Sequence, residues 1–212
     1  MKLKGFTLAE VLVTLTLIGI VATLTLPALM TNIQRQQAGP ALMRAIATLD
    51  TANALLFAEQ DTLTFSEACP NYKDCFDRFI RQRIGADNGG LSRAYDDFPG
   101  SEWTNSSNPL TNGYTTKNGF IYYIDRSSFS GGRVDVYIDV NGLRGPNMYC
   151  KDVFRVRVSD EDGKVYAEGS KANPWGNAGD WENGGADSTG VREGRACAGS
   201  IVDNGGRVIY PW

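Results

Sequence analysis

Residues 6–30 read FTLAEVLVTLTLIGIVATLTLPALM, and this stretch decides how the whole chain is organised. The only charged side chain in it is Glu10. As an α-helix the stretch would extend about 37 Å at about 1.5 Å per residue, which is enough to cross a bilayer core of about 30 Å. Lys2 and Lys4 precede it and predict that the N-terminus stays on the cytoplasmic side while the rest of the chain lies outside. The sequence therefore predicts one membrane-spanning helix at the start of the chain.

Two simpler interpretations of this stretch explain less of it. A cleaved secretory signal has an apolar run of about 7 to 15 residues followed by a small-x-small cleavage site. Here the run is longer and no such site follows it cleanly. A plain membrane anchor explains the hydrophobicity but leaves Glu10 without a reason, because a carboxylate inside a bilayer is unfavourable and needs a partner.

The residues around Glu10 supply that reason. Gly5-Phe6-Thr7-Leu8-Ala9-Glu10, behind a short lysine-bearing leader and ahead of the apolar run, resembles the start of type IV pilins and type II secretion pseudopilins. The resemblance implies that a prepilin peptidase cleaves between Gly5 and Phe6 and methylates Phe6. It also implies that Glu10 pairs with the amine at Phe6 of a neighbouring subunit. Helical spacing agrees, since Glu10 lies about one turn from Phe6, close to the positive end of the helix dipole.

The resemblance divides the chain into four parts. Residues 1–5 are a cleaved leader, 6–30 a hydrophobic transmembrane and assembly helix, 31–60 an amphipathic continuation of that helix, and 61–212 a globular pilin-like domain. In the family, a proline at the place of Pro27 accompanies local unwinding of the helix in assembled filaments. A tolerated kink is the plain alternative, and the two are compatible.

Helical spacing resumes after a second predicted interruption at Gly39-Pro40, where we expect a bend. Apolar residues recur on one face of residues 40–60, and this face is predicted to pack on the globular domain rather than on lipid. These residues are Leu42, Ile46, Leu49, Ala52 and Leu56.

The remainder of the chain predicts an α+β domain in which helices precede an antiparallel sheet. Apolar spacing predicts a short amphipathic helix through Phe76, Phe79, Ile80 and Ile84, followed by a long loop over 86–118. Alternating apolar residues and hairpin-sized spacings then predict antiparallel strands, with a final hairpin turning at Gly205-Gly206. The predicted strands cover 120–124, 134–140, 153–158, 164–167, 201–202 and 207–210.

Four cysteines lie beyond the membrane segment, in the part of the chain that we expect to face an oxidising compartment. Three pairings are possible, and we favour Cys69 with Cys75 and Cys150 with Cys197. A bridge across the second, longer span could contribute roughly 3 to 4 kcal/mol by chain entropy. The pilin resemblance implies a similar staple in the C-terminal region. Zinc or redox chemistry is disfavoured because the chain has no histidine and no C-x-x-C motif.

The composition narrows the range of chemistry. The chain contains no histidine, which excludes histidine-based triads, metal ligands and general bases. The formal charge is −3, which argues against nucleic-acid binding by bulk electrostatics. No pair of carboxylates stands out by spacing as a hydrolase centre. We therefore predict a protein that is not an enzyme.

One group of residues is a candidate for binding calcium. Asp139, Asn141 and Asp152 surround a glycine-bearing turn and could supply the oxygen ligands that calcium prefers. The segment from Asp139 to Asn147 is similar to a turn in many pilin-like proteins, and some pseudopilins carry a structural calcium in their C-terminal loops. The alternative is a β-turn in which the Asp and Asn side chains bond to their own backbone. Calcium is the one cofactor that the sequence suggests.

These features together predict a structural subunit, pilin or pseudopilin, of a type IV pilus-like or type II secretion filament. The implied partners are copies of itself or related pilins, the prepilin peptidase, an inner-membrane assembly platform, and membrane lipid before assembly. The implied location is a single pass through the inner membrane and then an extracytoplasmic or extracellular filament. Major pilin, minor pilin and pseudopilin share this N-terminus and stay unresolved.

An alternative keeps the membrane anchor and discards the filament. In that interpretation the protein is an extracytoplasmic binding module, such as an adhesin or a sugar-binding protein, and uses aromatic side chains in its loops. The tryptophans available for such a role are Trp103, Trp175, Trp181 and Trp212. It predicts an uncleaved N-terminus and no filament.

Overall fold

A computed structural model describes residues 5, 7–87, 89–93, 110–124, 128–172 and 197–210. The chain divides into two compact units, Met1–Gln37 and Ala38–Trp212. Helix α1 (Leu8–Glu59) begins in the first unit and ends in the second.

The first unit is the apolar part of α1. Its large side chains are exposed, including Leu15 at 60% and Ile18 at 64%. Its most apolar window has a mean hydropathy of 2.2, and by length and composition the helix could cross a membrane. Thr16 and Thr25 donate their hydroxyl hydrogens to carbonyl oxygens of the same helix, at 2.8 and 2.9 Å. Polar side chains that are satisfied in this way are compatible with a lipid environment.

Helix α1 continues through Gly39-Pro40, so the predicted interruption of the helix at this point is wrong. The structure gives another reason for the glycine. A Cβ atom built on Gly39 would lie only 1.9 Å from the carbonyl oxygen of Gly206, in the C-terminal segment of the second unit. Gly39 therefore lets another part of the backbone approach the helix, and does not mark its end.

This close approach gives a stability prediction. Gly39→Ala is expected to destabilise the domain by about 2 kcal/mol or more, because the new methyl group overlaps the Gly206 backbone. Gly19→Ala is the matched control, since a Cβ at Gly19 meets no atom within 4 Å. Urea unfolding of the full chain in detergent micelles measures both. Equal midpoints for the two variants would contradict the packing role of Gly39.

The segment after α1 is a run of short helical elements. They are α2 (Phe65–Ala68), α3 (Tyr72–Cys75), a π-helical turn (Phe76–Ile80) and α4 (Arg81–Arg83). Their buried side chains repeat every fourth residue, at Tyr72, Phe76, Ile80 and Ile84. In an α-helix each such step drifts by about 40° around the axis, because each residue turns about 100°. The wider π-helical turn offsets this drift and keeps the row on one face.

The predicted amphipathic helix is thus confirmed, with one difference. Phe79, which the sequence placed on its apolar face, is 42% exposed. The four-residue spacing of the buried row leaves Phe79 beside the row and not within it.

In the described part of the chain, six strands follow and form one antiparallel sheet in chain order. Each strand pairs with the next one along the chain, as hairpin-sized spacings predict. The strands are β1 (Leu91–Arg93), β2 (Leu110–Thr115), β3 (Ile121–Ile124), β4 (Arg133–Asp139), β5 (Val153–Ser159) and β6 (Val165–Ala167). The predicted strands over 120–124, 134–140, 153–158 and 164–167 are confirmed within one residue at each end.

Two parts of the predicted topology are wrong. The loop expected over 86–118 contains β1 and β2. The hairpin expected over 201–210 is instead a helix, α5 (Cys197–Asp203), followed by a turn. Gly205 and Gly206 have positive φ angles of 64° and 86°, and they end this helix instead of turning a hairpin.

The core of the second unit lies between the buried face of α1 and one face of the sheet. Leu42, Leu49 and Leu56 from the helix belong to the same buried cluster as Val136 and Val156 from the sheet. The residues that the sequence assigned to this helix face are thus buried, or partly buried in the case of Ile46. The structure is therefore an α+β, pilin-like arrangement of a long N-terminal helix and a C-terminal antiparallel sheet.

Polar contacts also fix the helix to the sheet. The amide nitrogen of Asn53, a fully buried side chain, donates to the carbonyl of Gly163 at 2.8 Å. Asp50 accepts from the backbone N–H of Val165 at 2.8 Å. The hydroxyl of Tyr122 donates to the carbonyl of Ala45 at 3.0 Å. These contacts set the position of the helix along the sheet, which apolar burial alone leaves loosely defined.

Candidate assembly and processing site

The first turn of α1 contains a reciprocal pair of contacts between Thr7 and Glu10. The backbone N–H and the hydroxyl of Thr7 both donate to Oε2 of Glu10, at 2.9 and 2.8 Å. In return, the backbone N–H of Glu10 donates to the Thr7 hydroxyl oxygen at 3.3 Å. This is a capping box, in which two backbone donors at the start of a helix are satisfied by side chains.

The capping box gives Glu10 a local role that the sequence analysis missed. From the sequence, Glu10 is assigned to the Phe6 amine and to the helix dipole, and Thr7 has no separate role. The signal was present, because a threonine followed three residues later by a glutamate ahead of an apolar run is typical of such a box. Glu10 is therefore held by its own chain before any other subunit is involved.

The cleavage point lies directly ahead of this box. Gly5 is exposed and outside any helix, and a Cβ there would meet no atom within 4 Å. Phe6 lies outside the described residues. An exposed glycine suits access by a peptidase, and cleavage between Gly5 and Phe6 stays a prediction.

Pro27 lies inside α1, where the helix is continuous. Its carbonyl accepts the hydroxyl of Thr31 at 3.0 Å, and Thr23 donates its hydroxyl to the carbonyls of Gly19 and Ile20. Proline removes one backbone hydrogen bond from the helix. The threonine hydroxyls that donate to helix carbonyls compete with the backbone N–H groups that bond to the same carbonyls. The predicted unwinding at Pro27 concerns the assembled filament and stays a prediction.

The structure contains two disulfide bonds, in the pairing favoured from the sequence. Cys69 bonds to Cys75 and Cys150 bonds to Cys197, with Cα–Cα distances of 5.8 and 5.5 Å. The second bond joins the start of α5 to the segment before β5. The buried Tyr210 donates its hydroxyl to the carbonyl of Cys150 at 2.6 Å, so a hydrogen bond reinforces the same connection.

The proposed calcium ligands lie together around the turn after β4. Oδ1 of the buried Asp139 accepts from the backbone N–H groups of Asn141 and Gly142, at 3.0 and 2.8 Å. Both oxygens of Asp152 accept backbone N–H groups at 2.6 Å, from Met148 and Asn147. This is the turn that the sequence analysis offered as the alternative, with side chains bonding to nearby backbone.

The carboxylates of Asp139 and Asp152 are therefore only partly available to a cation, because they already accept backbone hydrogen bonds. Burial raises the pKa of Asp152, and the N–H groups of Met148 and Asn147 offset only part of that effect. The buried side-chain oxygens of Asn141 and Asn147 have no hydrogen-bond partner among the described residues. Within that part of the chain, no group of three or more acidic, cysteine or histidine side chains could hold a metal ion.

Calcium binding thus stays a prediction, and it can be tested directly. If calcium binds, the two unpartnered amide oxygens are expected to join Asp139 and Asp152 as ligands. Isothermal titration of the detergent-solubilised chain should then show heat that Asp139→Asn reduces. An absence of heat at millimolar calcium would contradict the prediction.

A buried cluster of charges occupies the face of the sheet opposite to Val134, Val136 and Val156. Arg155 makes a two-pronged ion pair with Glu168, and Nη2 of Arg157 lies 2.7 Å from Oε1 of the same carboxylate. Oδ1 of Asp135 lies 3.5 Å from Nε of Arg157. Burial lowers the pKa of an arginine, but the bonds and charge of Glu168 raise the pKa of Arg155 above its usual value. The cluster was missed because its members come from three places in the chain, with Asp135 on β4, the two arginines on β5 and Glu168 directly after β6.

Aromatic residues for the alternative binding function lie outside the described residues. These are Trp103, Trp175, Trp181 and Trp212.

Comparison with known proteins supports one feature of this site. Residues 1–26 match the family model of a prokaryotic N-terminal methylation motif. This motif is the hallmark of the prepilin-type signal of type IV pilins and pseudopilins. No curated protein and no solved structure matches the chain.

The matched motif supports one class of precursor. It supports a pilin-like or pseudopilin precursor, and it indicates a structural protein. It implies processing by a peptidase and assembly with other pilin subunits. Together with the one apolar N-terminal helix, it indicates a single-pass membrane-anchored protein.

Proposed function

We propose that this protein is a subunit of a type IV pilus-like or type II secretion filament, assembled through α1 and carrying its globular domain outward. Cleavage between Gly5 and Phe6 creates an amine at Phe6. In the filament this amine pairs with Glu10 of a neighbouring subunit. The protein inserts once in the inner membrane, and an assembly platform in that membrane extracts it into the filament.

The observation that carries the proposal is a single carboxylate at the start of the first part of α1, residues 8–30, which is otherwise uncharged and exposed. Glu10 lies within the methylation motif, and the large apolar side chains that follow it are exposed. A charge beside lipid favours any state that supplies an opposite charge. A neighbouring subunit with a free amine at Phe6 offers that charge and covers the apolar helix at the same time.

The N-terminal peptide tests the proposal. Cells that express the full chain are sheared, and the filament and envelope fractions are analysed by mass spectrometry. A peptide that begins at methylated Phe6 in the sheared filaments supports a pilus subunit, and its abundance separates major from minor. The same peptide confined to the envelope supports a pseudopilin of a secretion or uptake machine.

One result would overturn the proposal. If the N-terminus still carries Met1 to Gly5 in cells that process other pilins, the filament function fails. The anchored binding module would then take its place.

A further inference from the structure

We infer that Thr7 is a positioning residue for Glu10, holding one carboxylate oxygen so that the other is presented to the amine of a neighbouring subunit. The inference rests on the proposed function for its partner, but the hydrogen bonds that carry it lie within a single chain. It assigns to Thr7 a task separate from cleavage and methylation.

The two oxygens of the Glu10 carboxylate have different surroundings. Oε2 accepts both the backbone N–H and the hydroxyl of Thr7. Within the described part of the chain, no group donates to Oε1. A carboxylate held at one oxygen has little freedom to rotate, so its second oxygen points in a defined direction.

The hydroxyl of Thr7 links both sides of the box. It donates to Oε2 of Glu10 and accepts the backbone N–H of Glu10. The side chain of Glu10 is therefore tied to the backbone of its own helix turn. Without the hydroxyl, one backbone bond to Oε2 would remain and the carboxylate could swing about it.

The box is compatible with processing. The N–H that Thr7 donates belongs to the peptide bond between Phe6 and Thr7. The proposed cleavage breaks the preceding bond, between Gly5 and Phe6. The same contacts can therefore hold Glu10 before and after cleavage, and the new amine arises one residue from the box.

The box also reduces the cost of keeping Glu10 at the membrane. A carboxylate without donors is far less stable in an apolar medium than one that accepts hydrogen bonds. In the unassembled subunit, the two donors of Thr7 therefore stabilise part of the negative charge of Glu10. The remaining, unpartnered oxygen preserves the preference for a second, cationic partner.

Three matched substitutions distinguish the effect of the capping box on assembly from the effect of the Glu10 charge. Thr7→Val keeps the shape of the side chain and removes the hydroxyl, while Thr7→Ser keeps the hydroxyl. Glu10→Gln keeps a side chain that can form the box but removes the charge. Each variant of the full chain is assayed for the fraction cleaved at Phe6 and for the fraction of cleaved subunits in sheared filaments.

Thr7→Val is expected to be cleaved normally and to reach filaments about fivefold less, the factor that loss of a typical cap would give. Thr7→Ser should match the wild type. In the Glu10→Gln background, Thr7→Val should cause no further loss, because no charge remains to be positioned. A capping role that is only structural would lower assembly by the same factor in both backgrounds, and that outcome would overturn the inference.

A second measurement does not depend on filaments. The amide hydrogen of Thr7 is expected to exchange slowly in detergent micelles, and at least tenfold faster in Glu10→Ala, which lacks the acceptor. Equal exchange in the two proteins would refute the box itself. If slow exchange is found but the wild type never enters filaments, the proposed function fails while the positioning of Glu10 stands.

Discussion

Replacing Glu10 with glutamine is expected to lower filament assembly about a hundredfold while the globular domain stays folded. Glutamine has nearly the same shape and can still form the capping box with Thr7, so the start of α1 is preserved. What it lacks is the negative charge for the amine at Phe6 of a neighbouring subunit. We expect the filament fraction to fall by about two orders of magnitude, roughly what loss of a desolvated charge pair gives, so the remaining filaments can still be quantified by mass spectrometry.

The control for this variant is its state in the membrane. Glu10→Gln should insert as the wild type does, because removing a charge makes insertion in lipid easier. Its globular domain should also unfold at the same urea concentration, because Glu10 lies outside the second unit. Normal filaments from Glu10→Gln would show that charge pairing does not drive assembly.

The parts of the fold that the sequence predicted correctly have a hydrophobic pattern that is typical of only one kind of secondary structure. A long apolar run with a single charge gives a long helix, and alternation over 134–140 gives a strand. The same logic failed where the pattern was ambiguous. The strand Leu110–Thr115 contains Asn112 and Gly113, which are rare in strands, and its partner strands supply the pairing.

The hairpin predicted over 201–210 was wrong for a different reason. A short apolar run beside glycines is consistent with either a strand or a helix. The structure forms a helix there, which buries Cys197, Ala198 and Ile201 together, and the disulfide to Cys150 fixes where this helix begins. That constraint lies 47 residues away along the chain and is invisible in the local pattern.

The sequence likewise pointed to some residues of the candidate site and not to others. Glu10 stood out because a lone charge in an apolar run requires an explanation. Thr7 did not stand out, because threonines recur through the same run, although its place three residues before Glu10 distinguishes it from the others. Arg155 and Arg157 alternate along one strand, so the sequence implies a shared face, but their partner Glu168 follows a different strand.

Replacing Glu168 with glutamine is expected to cost about 3 kcal/mol or more of unfolding free energy. The Glu168 side chain is only 1% exposed, and it is the shared partner of Arg155 and Arg157, whose side chains are 12% and 10% exposed. Without this carboxylate the two guanidinium groups keep their desolvation cost and retain Asp135 as their nearest remaining anion. A buried pair that loses one partner is strongly destabilising for this reason.

Glu59→Gln is the matched control, because it makes the same chemical change at an exposed ion pair. Glu59 pairs with Arg83, and its side chain is 56% exposed, so water replaces the lost partner and the cost should stay below about 1 kcal/mol. Urea unfolding of the full chain in detergent, with the disulfides intact, measures both variants. If the two cost the same, the buried cluster contributes no more than a surface pair, and the sheet depends on apolar packing instead.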